Sequence, residues 1–128
     1  AIAKAFGASN VVYVSVHVNA AGNSHQWMKA RGWSVFVYNK PSSKAVMLAS
    51  YLFDKAAEKG VRMRKPEALK KYWNANFAVL RQTVCPAVLV EHFFMDNRDD
   101  CAYLLTEKSV RECAEVLADG IVQYINNL

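Results

Sequence analysis

The chain reads as an α/β protein of three layers, with helices on both faces of a mainly parallel sheet. Three observations predict this. The run Ala87, Val88, Leu89, Val90 is unbroken, apolar and β-branched, as a strand buried on both faces must be. A second β-rich run, Val11 to Asn19, lies far ahead of it. Around these runs stand segments with apolar residues at helical spacing, and strands alternating with helices favour parallel pairing through crossovers.

Residues 1–7, AIAKAFG, predict the last turns of a helix stopped at Gly7. Val11 to Asn19 predicts a strand with Val14, Val16 and Val18 on one face and Ser15, His17 and Asn19 on the other. The polar, glycine-bearing AAGNSHQWMKARG that follows reads as a loop, and WSVFVY, Trp33 to Tyr38, as a second strand. Pro41, Ser42 and Ser43 open a helix with Ala45, Ala49, Leu52, Phe53 and Ala56 on one stripe, closed by Gly60. A basic stretch follows, carrying Arg62, Arg64, Lys65, Lys70 and Lys71, and Phe77 to Leu80 predicts a short strand leading into the central one. Thr106 is placed to cap a last helix whose stripe runs Val110, Ala114, Leu117, Ile121 and Ile125.

With 128 residues, 53% hydrophobic and 21% charged, one domain over 1–128 is expected, with no repeat or linker. No apolar run approaches the roughly 20 residues that span a bilayer, and no signal-peptide pattern opens the chain. The net charge of +5 and pI near 9.2 suit an anionic partner: nucleic acid, a membrane surface or a cell-wall polymer. Nucleic acid is disfavoured, because the basic residues form one short cluster without interleaved aromatic readers. Cys85, Cys101 and Cys113 are odd in number and lack a C-x-x-C pair, so they read as reduced, mostly buried thiols.

Glu91 ends the apolar run, where a buried parallel strand delivers side chains into the ligand crevice of an open sheet. An acid or base belongs there, although a carboxylate capping the next turn fits the sequence equally. His17, near the end of the earlier strand, would reach the same edge if the two strands run parallel. A neutral imidazole binds zinc well, and a glutamate outside the metal's ligands can move the proton of an attacking water. A hydrogen-bonded core histidine is the plainer alternative.

The order of motifs is more specific than any of them singly. SVHVNA at 15–20, GWSVFVY at 32–38, the helix from Ser42, Arg64 after the Gly60 turn, FAVLRQTVCPAVLVE at 77–91 and the FMDN after it resemble the zinc-dependent N-acetylmuramoyl-L-alanine amidases of the amidase type 3 family. The resemblance covers all of 1–128. It implies a bacterial or phage peptidoglycan hydrolase that cuts the amide between the lactyl group of muramic acid and L-alanine. It maps a zinc ligand to His17, the catalytic acid/base to Glu91 and a substrate-binding arginine to Arg64, set against a plain surface charge. Two further family ligands belong to a first strand and first helix that would precede residue 1. The expected domain therefore lacks that strand and much of that helix, and its hold on zinc is expected to be weak or absent.

Neither His25 nor His92 stands where the family places a ligand. Asn19 and Asn97 are expected to order turns, while Trp27 and Trp33 are candidates for stacking on sugar faces or, for Trp33, for the core. The resemblance implies peptidoglycan as partner, a monomer, and action in the periplasm, at the wall outside the cell or after release of a phage endolysin. The rivals are a zinc carboxypeptidase of related fold and an inactive wall-binding remnant.

Overall fold

The computed structural model describes residues 1–23 and 25–128. A short helix, α1 (Ile2–Phe6), ends at Gly7, whose φ of 87° supplies the left-handed turn. Then come β1 (Tyr13–Asn19), β2 (Ser34–Tyr38), α2 (Ser43–Glu58), β3 (Trp73–Ala75), α3 (Ala78–Arg81), β4 (Ala87–Phe94), α4 (Arg98–Leu104) and α5 (Glu107–Asn126). The four strands lie in the order β1-β4-β2-β3. The β1–β4 and β2–β3 ladders are parallel, whereas β2 runs antiparallel to β4. The sheet is thus mixed, with its one antiparallel ladder at the centre.

Strand β4 is buried from Ala87 to Val90, as its continuous apolar run requires. Its alternation feeds two cores. Val88 and Val90 join Val35 and Val37 beneath α2 and α5, around Leu48, Ala49, Leu52, Val116 and Tyr124. Ala87 and Leu89 face the other way, onto Leu80, Val79, Phe36 and Tyr38. The first face carries the two long helices; the second is covered only by the single-turn α3 and the chain around it.

Helix α2 starts as expected, with the Ser42 hydroxyl accepting the Ala45 N–H at 3.1 Å. Gly60, at φ 73°, follows its end. Three other expectations are corrected. Phe77 to Leu80 is not a strand: Ala78–Arg81 form one helical turn, and the strand before it is Trp73–Ala75. Four apolar residues cannot distinguish the two by periodicity. The face of α5 is rotated in part: Leu117 and Ile121 of the expected stripe pack on the core, but Val110 and Ile125 do not. Its buried residues are Ser109, Val116, Gly120 and Tyr124, whereas Val110 is 68% exposed. Gly120 decides this, because a Cβ there would lie 2.5 Å from Leu52 Cδ2, so α2 and α5 meet where only a glycine fits. On β1, Val14 packs on the core but Val16 is 56% exposed. β1 is an edge strand whose apolar face is covered at Val14 but left open at Val16 and Val18.

The three cysteines are free, Cys85 buried and Cys101 and Cys113 half-buried. Among the described residues no helix is long and apolar enough to cross a membrane. The loop after β1 adopts no regular structure over its described residues, and Ser24 within it lies outside them.

Candidate active site

His17 and Glu91 face each other as Cα partners across the parallel β1–β4 ladder. Partners in a ladder project from the same face, so both side chains stand on the thinly covered side of the sheet. On its other flank Glu91 is paired with Ser34 of β2. The pairing puts an imidazole, a carboxylate and a hydroxyl in one row across three strands.

Just beyond this row β4 departs from regular geometry. His17 pairs with Glu91 but Asn19 with Phe94, so β4 carries one extra residue, and Phe93 takes a left-handed φ of 68°. Such bulges re-aim the residues beside them. This one is pinned by the buried Asp100 carboxylate, which accepts the N–H of Phe94 at 3.0 Å and of Gly32 at 2.7 Å. Asn97 caps α4 by accepting from Asp99 and Asp100, and its amide donates to the Met28 carbonyl at 3.1 Å. The expected turn role of Asn97 is what the structure shows, and Asn97, not Glu91, is the cap of α4.

Glu91 is half-buried, and no protein group hydrogen-bonds its shielded Oε2. Burial pushes its carboxyl above the usual glutamate range, while the nearby His17 and Arg64 pull it down. A carboxylate in this setting is poised to take up a proton. The Ser34 hydroxyl, buried beside it, also lacks a partner. Two shielded oxygens on adjacent register positions are thus left without protein partners. His17 is exposed, its Nε2 2.9 Å from the Ser15 hydroxyl. It is not a core histidine.

Arg64 reaches the site from the segment after α2. Its backbone N–H donates to the Trp33 carbonyl at 2.9 Å, and its guanidinium lies 4.4 Å from the Trp73 ring centroid and 5.4 Å from that of Phe94. Two aromatic faces orient the fork, and among the described residues it makes no ion pair. The approach depends on Gly32, where a Cβ would meet the Arg64 nitrogen at 2.6 Å and φ is 109°.

His92 points the other way, as its alternation predicts. It is buried against Trp33, whose indole N–H donates to Nδ1 at 3.2 Å, and burial lowers its pKa to about 4. Trp33 is accordingly a core residue. His25 stands in the loop after β1. Among the described residues no three His, Cys, Asp or Glu side chains come together as a metal site. The residues present therefore fit zinc in part: one open imidazole ligand with an unpartnered carboxylate beside it. A catalytic site needs about three protein ligands. Sequence reasoning missed Ser34, whose only signal is its register opposite Glu91.

Residues 1–123 match the model of the N-acetylmuramoyl-L-alanine amidase family, Amidase_3. The chain belongs to this family. It is 30% identical over 96% of its length to an endolysin of Bacillus phage SPP1, of which it covers 43%. It is 28% identical to the CwlM amidase of Bacillus licheniformis, over 89% of the chain and 40% of that protein. Among solved structures, an N-acetylmuramoyl-L-alanine amidase of Clostridium difficile 630 superposes with a TM-score of 0.77 at 28% identity, over 90% of this chain and 57% of that one. The catalytic domain of CwlV from Bacillus (Paenibacillus) polymyxa gives 0.74 at 28% identity, over 98% and 62%. The chain thus spans less than half of these two curated relatives and somewhat over half of the two solved amidase chains. The membership of the N-acetylmuramoyl-L-alanine amidase family expected from the motifs is borne out.

Proposed function

We propose that this chain is the part of a peptidoglycan amidase that carries the acid/base, one zinc ligand and a substrate clamp. The observation that carries the reading is the His17–Glu91 register pair on the open sheet face of a chain belonging to the amidase family. A zinc ion would be held here by His17 together with two further protein donors, and when bound would polarise the lactyl carbonyl and lower the pKa of water.

The remaining chemistry belongs to the chain itself. Glu91 accepts the proton of the water that attacks the lactyl-alanine carbonyl and returns it to the departing alanine nitrogen. Burial raises its pKa above the usual glutamate range, which makes it a stronger base toward the water proton. Arg64, oriented by Trp73 and Phe94, takes a stem-peptide carboxylate in a forked pair of hydrogen bonds. The relatives named as an endolysin and an N-acetylmuramoyl-L-alanine amidase support action at the wall.

The second reading, a wall-binding remnant, is favoured by one observation, that no three ligating side chains meet among the described residues. One assay separates them. Purified peptidoglycan is incubated with the protein and zinc, and released stem peptides are examined for a new N-terminal L-alanine, beside a pull-down on the same wall. Release with that terminus is the amidase result. Pull-down without release is the remnant, and release of single amino acids from the peptide end is a carboxypeptidase.

A further inference from the structure

The loop after β1 is held to the end of β4 at both of its legs. The Asp96 carboxylate accepts the N–H groups of Ala21 at 2.9 Å and Gly22 at 2.8 Å, and the Asp96 carbonyl accepts the Met28 N–H at 2.7 Å. These bonds hold the carboxyl of Asp96 below the usual aspartate range, so the clamp is anionic. Between the two legs the loop presents Trp27, 52% exposed, with the Arg98 guanidinium 5.7 Å from its ring centroid. The indole is held next to Met28, whose N–H is bonded to Asp96 just past the end of β4, and it stands beside a second exposed apolar side chain, Met95.

Beside the indole lies a groove of about 440 Å³, lined by His25, Gln26, Trp27, Met95 and Asp96. That is within the ~300–1,000 Å³ of small-ligand sites. Met95, half exposed, adds apolar surface. His25 and Gln26 bring hydrogen-bonding groups to the rim. An aromatic plane with an apolar neighbour and polar rims matches a sugar ring, which offers C–H groups on its face and hydroxyl or acetamido groups at its edge. The groove also lies near the Glu91 row: the Met95 N–H donates to the Asn19 carbonyl at 2.8 Å, so this is the same end of the β1–β4 pair. Met95 directly follows the end of β4, the strand that carries Glu91.

We propose that this groove is a glycan subsite, in which an N-acetylated sugar ring of the wall polymer stacks on Trp27 beside the Glu91 centre. The assignment rests on the amidase reading for the identity of its ligand. A stem peptide is the less suitable occupant, because its carboxylates are matched by Arg64, whereas the groove is lined by the Asp96 carboxylate and by no lysine or arginine.

The test is calorimetric titration of the protein, without zinc, with the tetramer of N-acetylglucosamine and separately with a soluble stem tetrapeptide. Saturable binding of the tetramer is expected, about tenfold weaker in Trp27→Ala and largely restored in Trp27→Phe, since stacking needs a ring and not the indole nitrogen. Circular dichroism and thermal unfolding of each variant establish that the fold is kept. No tetramer binding by the parent, equal binding by Trp27→Ala, or a Trp27-dependent signal for the peptide alone would each overturn the subsite. The amidase reading fails separately, by absence of peptide release from whole peptidoglycan, and the glycan titration still returns its own answer in that case.

Discussion

His17 and Glu91, far apart in the chain, are direct neighbours across the β1–β4 ladder, one exposed to solvent and the other half shielded beside it. That asymmetry fits a division of labour between ligand and proton carrier.

Glu91→Gln tests the proton carrier. The change keeps size and shape but removes the basic site, so peptide release should fall roughly 10²–10⁴-fold, with wall pull-down unchanged. Stability should hold or rise, because burial disfavours the ionised form that glutamine replaces. Release at the parent rate would make Glu91 structural.

His17→Ala should abolish zinc-dependent release while shifting folding stability by no more than about 0.5 kcal/mol, as expected of an exposed position. The 128-residue chain offers one clear ligand and should lose zinc on dialysis. Metal analysis decides this, and stoichiometric retention would mean that a substitute donor has been overlooked.

His92 predicts a pH dependence of stability. Its pKa in the fold is about 4, against roughly 6.5 when unfolded. The unfolded chain therefore binds the extra proton first as pH falls. The contribution is complete above about pH 6.5 and is lost progressively toward pH 4, up to roughly 3 kcal/mol in all. Urea midpoints across that range should slope upward with pH in the parent and flatten in His92→Gln. Parallel slopes would show that His92 is not the group responsible.

Asp100→Ala should cost roughly 2–5 kcal/mol, because the buried N–H groups of Gly32 and Phe94 both lose their acceptor. Denaturant unfolding measures it. A loss below about 1 kcal/mol would mean that the bulge relaxes without its pin.

Much of this was legible in the residues. The buried run ending at Glu91, the Ser42 cap, the Gly7 stop and the family motifs are local signals, and parallel pairing of the two strands was enough to bring His17 to Glu91. The direction of β2 was not legible, because WSVFVY carries no mark of whether its neighbour runs with it or against it. Ser34 was hidden for the same reason. The facing of α5 was misread because hydrophobic periodicity favours Val110 and Ile125, whereas close packing on Leu52 selects Gly120. The left-handed Phe93 has no signature at all: a bulky residue there is held by partners such as Asp100, which the sequence does not announce.

The ladder that joins Tyr13 to Ala87 and His17 to Glu91 also sets when the site comes into being. Helices α2 and α5 form from near neighbours in the chain, but β1 must find β4 across more than half of it, and closing so long a loop is slow. During refolding, helical signal should therefore return well before the site does. In that interval the apolar run 87–90 has an unpaired edge and is most open to association with another chain. Competence and escape from aggregation are reached in the same late event.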